Sequence, residues 1–124
     1  MYKRQHIHLY INSPGGSLLD AFAIFDRIKQ LRRVGIKVSC YLEGKVLSAA
    51  VIIAAACDDV SASRNCVFLV HMPSPAIGFI VEKTAEVMAS TTLLTADEWL
   101  EKMANDRWFG VEEAIEWGLI DRIK

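Results

Sequence analysis

Between His6 and Ile11 polar and apolar positions alternate, with Ile7, Leu9 and Ile11 on one face. A period of two predicts a strand. The period then changes: Leu18, Leu19, Phe22, Phe25, Ile28 and Leu31 recur every three or four residues, so Ser17 to Arg33 reads as an amphipathic helix that Gly35 stops. "IKVSCYLEG" reads as a second strand. "LSAAVIIAAACDD" reads as a helix apolar almost all round and therefore buried. "NCVFLVHMP" reads as a third strand, continuously apolar as expected for a buried parallel position. A helix from about Ile80 to Leu94 follows. Thr95 with Glu98 forms a T-x-x-E capping box for the next helix, through about Ala104. "VEEAIEWG" predicts a last short helix closed by Gly118, and "LIDRI" a final strand. Strands alternating with helices through short turns imply βαβ crossovers and a parallel sheet covered on both sides. No repeat, linker or low-complexity segment interrupts the pattern, so residues 1–124 read as a single domain.

Composition narrows the picture. A hydrophobic fraction of 52% and a mean hydropathy of +0.24 are high for a small soluble chain. No apolar run reaches the roughly 18 residues needed to span a bilayer, so the excess is expected in a subunit interface. "MYKRQHIH" is basic, but no apolar stretch of a secretory signal follows it. The net charge of −1, with both signs interspersed, offers no patch for nucleic acid. Cys40, Cys57 and Cys66 are odd in number and lack a CxxC spacing, so they read as buried thiols in a reducing, cytoplasmic setting.

The candidate chemistry gathers where strands end. In "YINSPGGS", Pro14, Gly15 and Gly16 make a turn that exposes backbone N–H groups, either a tight connection or half of an oxyanion site. Ser48 opens the small-residue helix at a strand-to-helix corner. It is an N-cap by position, and also where a nucleophile presents its Oγ. His71 ends the third strand and is the best-placed base. His6 and His8 share a strand face, but an HxH pair without a third ligand reads as polar strand histidines and predicts no metal. A carboxylate is needed to orient His71. Asp97 belongs to the capping box and Asp58 and Asp59 look like a solvated helix end, which leaves Asp106 and Asp121 undecided.

These segments resemble a known family. "YINSPGGS", the corner "EGKVLSAA", "NCVFLVHMP" and "NDRWFGVEEAIEWGLID" occur in the order found in the Clp protease proteolytic subunit (ClpP) and its phage-head maturation relatives, over Ile7 to Ile123. The resemblance implies an α/β fold, a crotonase-like spiral of βαβ units with a mostly parallel sheet. It also implies a serine endopeptidase without cofactor. On it Ser48 is the nucleophile, His71, standing before a proline pair, the general base, and Asp106 the orienting carboxylate. Gly16 and Ala49 supply the oxyanion N–H groups. A homo-oligomer acting on peptide or unfolded protein is implied, with an ATP-driven unfoldase as partner.

Two departures bear on that reading. The chain starts at what is an internal strand in the family, so the segment that docks the unfoldase is expected to be missing. His71 and Asp106 are also only 35 residues apart, which shortens the region of the family's long handle helix and bears on ring stacking. The principal alternative is a catalytically silent structural or regulatory subunit of a ring. A crotonase-fold enzyme acting on acyl thioesters has no need of the triad. A Ser/Lys dyad with Lys45 rests on proximity alone.

Overall fold

A computed structural model describes residues 5–73 and 77–124 of the chain. The alternating stretch forms β1 (His6–Ser13), and helix α1 (Leu18–Arg33) follows after the Pro-Gly-Gly turn. Ser17 caps α1, its hydroxyl accepting from the Asp20 N–H at 3.2 Å. Asp20 in the first turn and Arg32 and Arg33 in the last suit the helix dipole. The chain continues through β2 (Lys37–Leu47), α2 (Ala49–Ala55), β3 (Asp59–Ala62), β4 (Val67–Val70), α3 (Gly78–Ala89), α4 (Ala96–Met103), β5 (Arg107–Phe109), α5 (Val111–Glu116) and β6 (Arg122–Ile123).

Several elements differ from the periodicity reading. Helix α2 ends at Ala55, before the "CDD" it was expected to include. The Asp58 carboxylate accepts from Arg32 Nε at 2.6 Å and from the Val38 N–H at 2.9 Å, which draws the chain back to the sheet as β3. Asp58 is thus no solvated helix end. Asp59 pairs with Arg122 of β6, and that guanidinium holds its carboxyl below the usual range. Helix α3 stops at Ala89 rather than Leu94. The Ser90 and Thr92 hydroxyls donate to the Val87 and Met88 carbonyls at 2.6 and 2.7 Å, taking up the backbone acceptors of its last turn. The capping box of α4 forms as expected: Thr95 Oγ1 accepts from the Glu98 N–H and Glu98 Oε1 from the Thr95 N–H.

Strand β2 organises the sheet. It pairs in parallel with β1 on one side. On the other it pairs in parallel with β3 over Ser39–Leu42 and, beyond Gly44, with β4 over Lys45–Leu47. Strand β6 adds in parallel to β3, and β5 adds to β4 at the opposite edge as the one antiparallel pairing described. The register of β1 on β2 shifts between Ile11 and Ser13. Val38, Cys40 and Leu42 of β2 and Ala50, Val51 and Ala54 of α2 are buried in the core, with Trp99, Phe68 and Met88 among the largest fully buried side chains.

Among the described residues, the other face of the sheet lacks the expected second helical cover along β1. Its β1 residues His6, His8, Tyr10 and Asn12 are exposed, Tyr10 stacks on Tyr41 at 4.9 Å, and Lys124 Nζ lies 4.2 Å from the Tyr41 ring. The cysteines are also not three separate thiols. Cys40 and Cys57 are joined as a disulfide with Cα atoms 6.2 Å apart, and Cys66 is buried and free.

Candidate active site

Backbone pairing brings the candidate residues together. Strands β1, β2 and β4 run parallel, so the turn after β1, the corner after β2 and the residue after β4 share the carboxyl edge of the sheet, where α/β sheets assemble their sites. At the corner, Ser48 has φ 57° and ψ −120°, the single non-glycine residue with positive φ among those described. A side chain in that region costs of order 1–3 kcal/mol and persists only where its surroundings enforce it. Here the Ser48 N–H donates to the Leu69 carbonyl of β4 at 2.8 Å, and the Ser48 carbonyl accepts from the Val51 N–H at 3.0 Å.

The Ser48 side chain does not cap α2. Its Oγ lies 2.7 Å from Nε2 of His71. Of the two roles the sequence offers Ser48, the geometry therefore excludes the cap. His71 is reached from β4 and is about one-third exposed.

The third position follows from the β4–β5 pairing. Val70 is opposite Arg107 in the antiparallel register, so one step further His71 faces Asp106. His71 Nδ1 and Asp106 Oδ1 are 3.8 Å apart, and the Asp106 side chain is 73% exposed. That separation exceeds a hydrogen bond of about 2.7–3.2 Å. The two groups face each other without a direct hydrogen bond. Of the two carboxylates left open by pattern, Asp106 is the one beside His71, and Asp121 is engaged elsewhere. Asp121 Oδ2 accepts from the Val60 N–H at 2.8 Å, and its own N–H donates to the Val60 carbonyl, so it stitches β3 to the chain entering β6.

The Pro-Gly-Gly turn packs directly under the corner. A Cβ on Gly15 would come within 2.7 Å of the Leu47 carbonyl oxygen and 3.3 Å of the Ala49 nitrogen, and φ there is +99°. Only glycine permits both this backbone and this approach. Ser13 Oγ accepts from the Gly15 N–H at 3.1 Å and sets the turn. Gly16, Ser48, Ala49 and His71 line one cavity of about 550 Å³, whose deeper wall is apolar: Val51, Ile52, Ile80, Met88 and Met103. Residue Pro73 of the expected proline pair lines it too, whereas Pro75 lies outside the described residues.

The remaining candidates sit elsewhere. Lys45 Nζ donates to Asn12 Oδ1 at 3.3 Å, as does the Lys45 N–H at 3.4 Å, so this ammonium braces β1 against β2. His6 Nε2 lies 2.7 Å from Ser39 Oγ, and its ring is 4.0 Å from that of His8. Local burial and the neighbouring His8 lower the His6 pKa. Sequence reasoning named Gly15 only as part of the turn, since two adjacent glycines gave no way to tell which one packs against the corner. It missed Asn12, whose contact depends on the register shift.

A mostly parallel α/β sheet with a strained serine, a histidine and a backbone turn meeting at its carboxyl edge has close counterparts. A family model described as Clp protease matches residues 1–82 and again residues 76–124. The chain belongs to the Clp protease family. It is 33% identical to ATP-dependent Clp protease proteolytic subunit 4 of Rhodococcus jostii over 138 residues, covering 96% of this chain and 68% of that one. It is 31% identical to proteolytic subunit 2 of Pseudomonas aeruginosa, covering 94% and 65%, and 29% identical to subunit 2 of Tropheryma whipplei, covering 98% and 74%. It thus spans about two-thirds to three-quarters of these relatives. The fold is that of a ClpP1 mutant from Listeria monocytogenes, with a TM-score of 0.86 at 24% identity over 98% of this chain and 75% of the other. No helix among the described residues is long and apolar enough to cross a membrane.

Proposed function

We propose that residues 1–124 form one peptidase domain, a serine endopeptidase in which Ser48 is the nucleophile, His71 the general base and Asp106 the group that orients the imidazole. The observation that carries this is the 2.7 Å approach of Ser48 Oγ to His71 Nε2, made from a strained backbone and in place of a helix cap. With Nε2 accepting the hydroxyl proton, Nδ1 carries its hydrogen toward Asp106. As Ser48 attacks a peptide carbonyl, His71 takes the Oγ proton and passes it to the leaving amine; water then releases the acyl group. The N–H groups of Gly16 and Ala49 receive the developing oxyanion, a contribution worth roughly 10²–10³ in rate for one donor in comparable sites. The apolar cavity beside Ser48 takes an apolar side chain flanking the scissile bond. No metal or cofactor enters the mechanism.

The names of the relatives add a context. The relatives are named proteolytic subunits of an ATP-dependent protease, and the reading takes peptide or unfolded protein as the substrate class, with an oligomer of this chain and an ATP-driven unfoldase as partners. The 3.8 Å gap between His71 and Asp106 favours one second reading, a catalytically silent structural or regulatory subunit of a ring.

Fluorophosphonate labelling mapped by mass spectrometry separates the two. An adduct on Ser48 that is lost in Ser48→Ala and falls at least about 10²-fold in His71→Ala supports the peptidase. An intact oligomer that takes no label supports the silent subunit.

A further inference from the structure

Asp106 is weakly held for a residue with such a task. It sits at the open end of β5, a three-residue strand on the edge of the sheet. Its side chain is 73% exposed, and its carboxylate accepts no hydrogen bond from the described residues. The buried anchor of β5 is Phe109, stacked on Phe68 with ring centroids 5.2 Å apart, at the far end of the strand from Asp106. What fixes the near end is Arg107. Its guanidinium pairs with the carboxylate of Glu113 on α5 and lies 5.6 Å from the Trp117 ring. Trp117 is itself buried between Phe109 and Trp99, at 4.6 and 5.9 Å. Successive strand residues point to opposite sides, so clamping Arg107 toward α5 commits Asp106 to the side of His71.

We infer that Glu113, acting through Arg107, is a positioning residue for the triad: this ion pair, seated against Trp117, sets where the Asp106 carboxylate stands relative to His71 Nδ1. Neither Arg107 nor Glu113 lines the cavity beside Ser48. Their effect reaches the chemistry only through the placement of Asp106. The inference rests on the peptidase reading for its kinetic arm, and a spectroscopic arm is independent of activity.

The kinetic arm compares Ser48 labelling rates in wild type, Glu113→Gln, Asp106→Asn and the double variant, with thermal midpoints to confirm folding. Glu113→Gln should slow labelling about two- to fivefold, the range of a part-exposed ion pair. The double variant should be no slower than Asp106→Asn alone, because residues acting through one another are not additive. Reversing the pair (Arg107→Glu with Glu113→Arg) should restore the rate to within about twofold of wild type. A Glu113→Gln effect that multiplies on that of Asp106→Asn, or a reversed pair that recovers nothing, overturns the inference and leaves the peptidase reading standing. An unlabelled wild type overturns the peptidase reading itself, and the second arm then decides. In that arm the imidazole ¹⁵N spectrum of His71, assigned with His71→Gln, should show mainly the Nδ1–H tautomer in wild type and a mixture in Glu113→Gln. A tautomer unchanged by Glu113→Gln but lost in Asp106→Asn means that Asp106 is placed without this pair, and the inference falls.

Discussion

Ser48 shows how one residue can hold strain and chemistry together. With φ 57° and ψ −120° it occupies backbone space that glycine enters freely. Ser48→Gly should therefore raise stability by about 1–2 kcal/mol over Ser48→Ala, because only the glycine relieves the strain. Both should take no label, and urea denaturation of the pair is the check. Cys66 gives the pH counterpart. Burial pushes its thiol from 9.0 up to about 11. A raised folded-state pKa contributes stability that is complete below about pH 9 and lost as pH climbs toward 11. The stability difference between wild type and Cys66→Ala should narrow over that interval. At pH 8 the native thiol should be alkylated at least about tenfold more slowly than the denatured one, since the thiolate is the reactive form.

Among the elements, what could be read from sequence follows length and period. The long helix α1 and strands β1 and β2 carry enough repeats to declare themselves, and the Thr95 capping box is visible because its two residues are local. Thr95→Ala should cost about 1 kcal/mol by thermal or urea denaturation while leaving Ser48 labelling little changed, since Met103, the α4 residue that lines the cavity beside Ser48, lies at the other end of the helix from the cap. Strands β3 and β5 were not legible. At four and three residues they show no period, and what makes them strands is the neighbour they meet. The same limit held for the site. Ser48, His71 and the turn at Gly16 could be placed at one sheet edge by chain order. The choice of Asp106 over Asp121 needed the family resemblance, because it depends on a pairing between β4 and β5 that nothing in the local sequence announces.

At the scale of the whole molecule, the apolar excess noted in the composition surfaces at Leu19, Ile77, Phe79, Leu93 and Trp108, each more than half exposed or close to it. Leu19 and Ile77 also rim the cavity beside Ser48. If this surface joins copies of the chain, native mass should exceed the 13.9 kDa of one subunit, and Phe79→Asp should shift the population toward the monomer without altering the fold. A monodisperse monomer at micromolar concentration would remove the oligomer from the proposal.

The unequal seating of the strands has a further consequence. Strand β2 is flanked on both sides over Ser39–Leu42 and again at Val46, whereas β5 hangs on β4 by one edge. Local opening is cheapest where few buried contacts oppose it. Amide hydrogens of Arg107 to Phe109 should exchange with solvent long before those of Val38 to Leu42. On warming, Asp106 would detach while Ser48 and His71 still face each other on an intact sheet. Loss of reactivity and loss of structure should then fall at two separate temperatures, with the first reversible on cooling.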